Sequence, residues 1–264
     1  NLNPLQLVWG GYWSYFDGNH YGRLPWIKYN NNIEENYEWY RNKGEKKEMN
    51  LFAKAEYGLN EKLLLFADMQ YRYIDYRMSG TDDDLAHLTS NHYYSFFNPK
   101  GGMAYNINHT NQLYASISVG QREPLRTDLK DAVKHDGIKS IKPERMIDYE
   151  LGYRYTHESG VHLSANWYYM DYTNQMVQTG KLSDIGYKVM ENVKDSYRTG
   201  IELEAVVPLS RRWILSANST ISRNIIKNYT AYIDVYDEHY NELVRQDSEQ
   251  FNKTDISFSP NVVG

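Results

Sequence analysis

Asp82, Asp83 and Asp84 stand in a row, with His87 and His92 close behind. Carboxylate oxygens beside imidazole nitrogens are the donors that a divalent cation takes. At the rim of a barrel the same group would suit a hydrolytic centre. A solvated acidic loop accounts for these residues more simply, so no metal site is assigned. His157 and His162 flank one tight turn and read as turn-lining. The chain has no cysteine, which removes thiol catalysis, zinc knuckles and disulfides. No catalytic group and no cofactor are expected.

Recognition is the better prospect. The 12–29 region offers Tyr12, Trp13, Tyr15, Tyr21, Trp26 and Tyr29 with His20 and Arg23. Rings with a few polar groups suit a bulky ligand. Tyr12, Trp13 and Tyr15 serve equally well as an interfacial girdle, so Tyr21, Trp26 and Tyr29 are the ligand-binding candidates. Arg122 and Arg126 are placed to face an anionic group on that ligand.

The elements that carry these residues are strands. Residues alternate with period two, one face apolar or aromatic and the other polar or charged. In 146–156, Ile147, Tyr149, Leu151, Tyr153 and Tyr155 oppose Asp148, Glu150, Gly152, Arg154 and Thr156. Similar runs predict strands near 4–16, 49–57, 62–77, 94–106, 111–122, 143–156, 161–177, 190–207, 212–226 and 253–260. Turn-forming clusters at 58–61, 106–110, 157–160 and 208–211 alternate with long polar connections at 17–48, 78–93, 123–142, 178–189 and 227–252. Short turns on one side and long loops on the other are the habit of outer-membrane barrels. The runs also reach the roughly 9–11 residues that a tilted membrane strand needs.

Composition agrees. There are 26 Tyr against 7 Phe, and Tyr prefers the membrane–water interface because one end is apolar and the other polar. A net charge of −5 gives no footprint for nucleic acid. Mean hydropathy is −0.74, and the longest apolar run, Leu63 to Ala67, is far too short for a membrane helix. If the apolar face meets lipid, Asp68, Arg72, Asp148, Glu150, Arg154, Arg198, Glu202 and Glu204 face the lumen. The expected fold is therefore all-β: an antiparallel up-and-down transmembrane barrel segment of about ten strands. A soluble β-rich binding module and a complete ten-stranded barrel enzyme are the rival readings.

Several stretches resemble the barrel of TonB-dependent outer-membrane receptors, particularly those of Bacteroidetes. Phe97-Asn98-Pro99-Lys100-Gly101-Gly102-Met103-Ala104-Tyr105 resembles the family's P-K-x-G-x-x-Y strand entry. Ser118-Val119-Gly120-Gln121-Arg122-Glu123-Pro124 resembles its G-x-R-x-P exit. Lys142-Pro143-Glu144 before Asp148-Tyr149-Glu150-Leu151-Gly152 resembles L-K-P-E followed by Y-E-L-G. Asn192-Val193 before Gly200-Ile201-Glu202-Leu203-Glu204-Ala205 resembles N-V followed by G-x-E-x-E. These matches cover about half the chain, over 95–225. The resemblance implies that 1–264 is one region inside a larger barrel of about 22 strands. The family's TonB box, plug domain and closing aromatic-ended strand are not seen in it. It also implies a bacterial outer-membrane location among outer-membrane lipid. The activity implied is uptake, energised through TonB, of a siderophore–iron complex, haem, cobalamin or glycan. The lumen charges would then hold the plug, and a surface lipoprotein is a possible further partner.

Overall fold

Where apolar and polar residues alternate, the chain is extended and every other side chain shares a face. The computed structural model describes residues 5–29, 32–134, 141–182, 188–237, 243–257 and 259–264. Its strands are β1 (Leu5–Leu24), β2 (Tyr37–Gly58), β3 (Leu63–Gly80), β4 (Ser90–Asn106) and β5 (Asn111–Arg122). A helix, α1 (Arg126–Lys134), precedes β6 (Glu144–Thr156), β7 (His162–Leu182), β8 (Lys188–Ser210), β9 (Trp213–Tyr236), β10 (Leu243–Asp255) and the short β11 (Val262–Val263). All pairings are antiparallel between chain neighbours, in the order β1 to β10, and β11 continues beside β9. The sheet ends at β1 and β10, which do not pair with each other.

Tight turns set the register. The Asn60 side chain accepts hydrogen bonds from the Lys62 and Leu63 amides at 2.9 Å each. Asn108 does the same for Thr110 and Asn111, at 3.0 and 2.9 Å. Side chains that imitate a backbone turn in this way favour hairpins. At the β6–β7 turn Gly160 takes φ +86°, which a side chain would resist.

The register carries one row of side chains across many strands. Lys54, Asp68, Lys100, Ser118, Asp148, Met170, Arg198 and Asn224 are successive cross-strand partners on the even-numbered face. On the opposite face Leu65, Met103, Ala115, Leu151, Trp167, Ile201 and Ile221 form the equivalent row. Most of the large members of that row are exposed. Above it, Tyr149 packs with Tyr169, and Tyr169 with Tyr197, at 6.4 and 5.7 Å between ring centres.

Rings on the even-numbered face lie flat over glycines of the next strand. A Cβ on Gly152 would stand 2.1 Å from the Tyr114 ring, and one on Gly102 would stand 2.7 Å from that of Phe66. Such pairing covers bare backbone with aromatic surface and keeps bulk close to the sheet.

Two expectations need correction. Residues 17–24 and 37–48, expected as loop, extend β1 and β2, 227–236 extend β9, and 243–252 make up most of β10, which ends at Asp255 where a strand over 253–260 was expected. The backbone ladder continues there while the apolar alternation fades, so the period-two signal vanishes although the strand does not. The 123–142 connection contains α1, which no strand-period reading finds. The remaining parts of the 123–142, 178–189 and 227–252 connections include positions outside the described residues.

Candidate functional site

At the long-connection end, α1 folds over the even-numbered face. Leu129, with Val133 beside it, packs against Met78 and Leu88. The Leu125 amide donates to Asp128 Oδ2 at 3.0 Å and closes the first turn of the helix. The backbone of α1 also approaches β8. A helix of nine residues is about 13 Å long, whereas β3 and β8 in a flat sheet would lie about 24 Å apart. The sheet therefore curls with its even-numbered face inside.

Ion pairs fix this unit. Asp82 is 2% exposed. Its Oδ2 meets Lys130 Nζ at 2.6 Å and Lys134 Nζ at 2.5 Å, and Lys134 also meets Asp84 at 2.8 Å. Asn42 Nδ2 donates to Asp82 Oδ1 at 3.1 Å, while the Asn42 carbonyl accepts from Arg126 Nη2. Burial pushes the Asp82 carboxyl up, but Lys130 and Lys134 outweigh it and hold the group below the ordinary aspartate range. Asp84 is lowered in the same way, against its burial, by Lys134 and the Ala86 amide. Burial raises Asp128, whose Leu125 hydrogen bond only partly opposes it.

The aspartate triplet groups as a cation site would, yet lysines already occupy it. His87 bridges Thr81 through the backbone, and the His92 ring meets the Ser90 hydroxyl at 3.1 Å. Asp82, Asp84 and the His92 ring are thus engaged within the fold. His162 likewise meets Thr156, and His157 meets Ser159, at 3.1 and 2.9 Å.

A second network lies further along the same face. Tyr12 donates to Glu48 Oε1 at 2.6 Å, and Arg72 Nη2 meets it at 3.0 Å. Lys46 bridges Glu48 and Glu123, at 2.9 and 2.8 Å. Burial pushes Glu123 up, but Lys46, its own backbone amide and Arg72 hold it low.

Towards the tight turns the balance changes. Asp68, Arg72, Asp148, Glu150, Arg154, Arg198, Glu202 and Glu204 all fall on the even-numbered face. Glu150, Glu202 and Glu204 accept from Ser116, Asn166 and Ser164, at 2.9, 3.3 and 3.4 Å. Among the described residues none of these three meets a cation. Arg154 stacks over the Tyr114 ring at 4.3 Å. Asp148 Oδ1 and Arg198 Nε are buried without hydrogen-bond partners.

The five ligand-binding candidates do not gather in one place. Tyr21 lies on the odd-numbered face with the guanidiniums of Arg23 and Arg41 over its ring, at 5.1 and 4.9 Å. Trp26 and Tyr29 follow β1, 71% and 78% exposed. Arg122 pairs with Glu144 at the mouth of β5 and β6. Arg126 begins α1. Sequence reasoning passed over Asn42, Tyr76, Lys130 and Lys134. The repeat of Arg126, Lys130 and Lys134 at intervals of four was the signal available for the helix.

A family model described as TonB dependent receptor-like, beta-barrel, matches residues 1–264. Solved structures similar to the chain include the ferric yersiniabactin uptake receptor FyuA from Yersinia pestis, at 16% identity and a TM-score of 0.63 over 99% of this chain and 36% of that one. The copper transporter OprC matches at 15% identity and 0.68, over 88% and 39%. The ferric-catecholate import receptor Fiu from K12 E. coli matches at 14% and 0.60, over 85% and 35%. The chain thus spans less than two fifths of each. No curated protein matches it.

Proposed function

Because the chain belongs to the TonB-dependent receptor β-barrel family, we propose that it forms part of the wall of an energised outer-membrane import receptor. Its cargo is a bulky, scarce nutrient such as a siderophore–iron complex, haem, cobalamin or a glycan. The observation that carries this reading is the pair of opposed rows. One runs as exposed apolar side chains across β3 to β9, and the other as charges of both signs set among mostly polar residues. Lipid suits the first and a wet or plugged lumen the second.

The work of such a wall is binding and gating, and no bond chemistry is assigned to it. Long connections capture the cargo at the outer mouth, with Tyr21, Trp26, Tyr29, Arg122 and Arg126 as contacts. Glu150, Glu202 and Glu204, which meet no cation among the described residues, receive basic side chains of a plug from the parent receptor. TonB acts through that parent, and a surface lipoprotein covers the mouth, as the Bacteroidetes-type resemblance suggests.

The test is fractionation joined to uptake. The native gene product is expected in purified outer membranes, with a mass well above 31.1 kDa. Removing it is expected to abolish energy-dependent uptake of one bulky chelate or glycan. A product found in the soluble fraction would sink the reading. So would undiminished uptake across a panel of such cargoes.

A further inference from the structure

Arg126, Lys130 and Lys134 recur at intervals of four, which aligns them in one stripe along α1. Three cations on one helix face repel one another unless an anion stands among them. Here that anion comes from the neighbouring connection. Asp82 Oδ2 meets both lysines, at 2.6 and 2.5 Å. Arg126 reaches the same carboxylate through the buried Asn42 amide.

We propose that this stripe is a binding site for an oligoanionic group of the cargo, and that Asp82 is the resident counter-ion the cargo displaces. The proposal rests on the reading of the chain as part of an import receptor.

Two observations favour exchange over a permanent lock. The first is unspent donors. Among the described residues, Arg126 Nε and the Tyr76 hydroxyl are buried with no partner beyond each other. Both face the bare backbone of Gly44, 3.5 and 3.3 Å from where its Cβ would stand. Buried donors left with only each other are rare, and two of them beside a basic stripe are disposed to take an anionic oxygen. The second is strain. Leu85, exposed in the acidic connection, holds φ +66°. A leucine resists the left-handed region, so the tip of the connection is held in a costly conformation. In the exchange, carboxylate or phosphate oxygens of the cargo replace Asp82 against Lys130 and Lys134. The 81–88 connection then parts from α1, and Asp82 passes to water.

The experiment uses the protein extracted from outer membranes into detergent, with citrate and pyrophosphate as separate probes. Calorimetry reads binding, and hydrogen exchange reads residues 81–88 and α1. The D82N/D84N variant lacks the internal competitor and is expected to bind about tenfold more tightly, within the ~5–150-fold span of typical site coupling. K130Q/K134Q is expected to bind about tenfold more weakly. Saturating probe should speed exchange at 81–88 in the native protein. D75N/R77Q, a pair on the odd-numbered face, should bind like the native chain. A response to citrate alone marks a carboxylate cargo, a response to pyrophosphate alone a phosphate, and a response to both a site that reads charge. Unaltered exchange protection in β2 and β3 shows that each variant is folded. With that control met, unchanged binding in either double variant overturns the site. Absence of binding in every form overturns it too. Binding needs no energised cell. Lost binding with intact uptake therefore sinks this site alone, and retained binding without uptake sinks the import reading.

Discussion

The lipid-facing stretch of the sheet and its extension beyond it share one backbone ladder and almost nothing else. In β6, Ile147, Tyr149 and Leu151 present apolar groups outward while Asp148 and Glu150 face in. In the distal half of β1 and β2, the outward positions include Asp17, Lys43 and Glu45, and Lys43 pairs with both carboxylates, at 2.9 and 3.1 Å. The same hydrogen-bonded scaffold thus serves two solvents. Lipid fixes the composition of one region, because an unpaired polar group there has no water to turn to. Water leaves the other free to carry loops and α1.

The sharpest way to break this comparison is to put a charge on the wrong side of it. Leu151→Arg places a guanidinium in the middle of the outward apolar row. An arginine near the bilayer midplane costs about 2–4 kcal/mol in a barrel. The variant is expected to refold poorly into vesicles and to unfold at lower urea. Tyr93→Arg lies on the same face beside Asp75, beyond the apolar row, and should refold normally. Equal behaviour of the two would deny that the faces meet different solvents.

That contrast also explains what could be read from the residues alone. Strands β5 and β6 were legible to within a residue because lipid enforces strict alternation there. The distal halves of β1, β2, β9 and β10 were not, since backbone bonds hold them and water accepts any side chain. The even-numbered charges were legible as a set for the same reason as the strands. The pairing of Asp82 with α1 was hidden, because it depends on a contact between two connections some fifty residues apart. Arg126 was singled out as a cation and Lys130 was not. Only the helix makes them equivalent.

A smaller effect is expected from the fit of rings to glycines. Gly152→Val drives a side chain into the Tyr114 ring, and overpacking of this kind costs roughly 1–3 kcal/mol. Tyr114→Ala should recover most of the loss in the double variant. Additive losses in urea titrations would mean that the glycine serves the backbone and not the ring.

Acidity separates the two ends of α1. Asp82 and Asp84 sit below their ordinary range, so their contribution is complete above the unfolded value near ~3.9 and is lost as pH falls through the folded values. Asp128 is raised, so its contribution is complete below the unfolded value and is lost as pH rises through its folded one. Hydrogen-exchange protection across α1, corrected for the intrinsic pH dependence of amide exchange, should therefore rise from strong acid to mild acid and fall again above it. Asp82→Asn should flatten the acid limb, and Asp128→Asn the other. A single limb that survives both substitutions would place the titration elsewhere.

The smallest effect tests the water-facing region itself. Lys43 meets Asp17 and Glu45 on the exposed face of β2. Pairs of this kind contribute little, since solvent screens them and holding long side chains costs entropy. Lys43→Ala is expected to leave the urea midpoint unmoved and its salt dependence flat. The strand would then owe its length to the ladder between β1 and β2, which runs from Leu5 opposite Tyr57 to Leu24 opposite Tyr37. A clear drop in the midpoint, shrinking with added salt, would reverse that ranking. It would show that charges, and not backbone hydrogen bonds, decide how far these strands reach past the membrane.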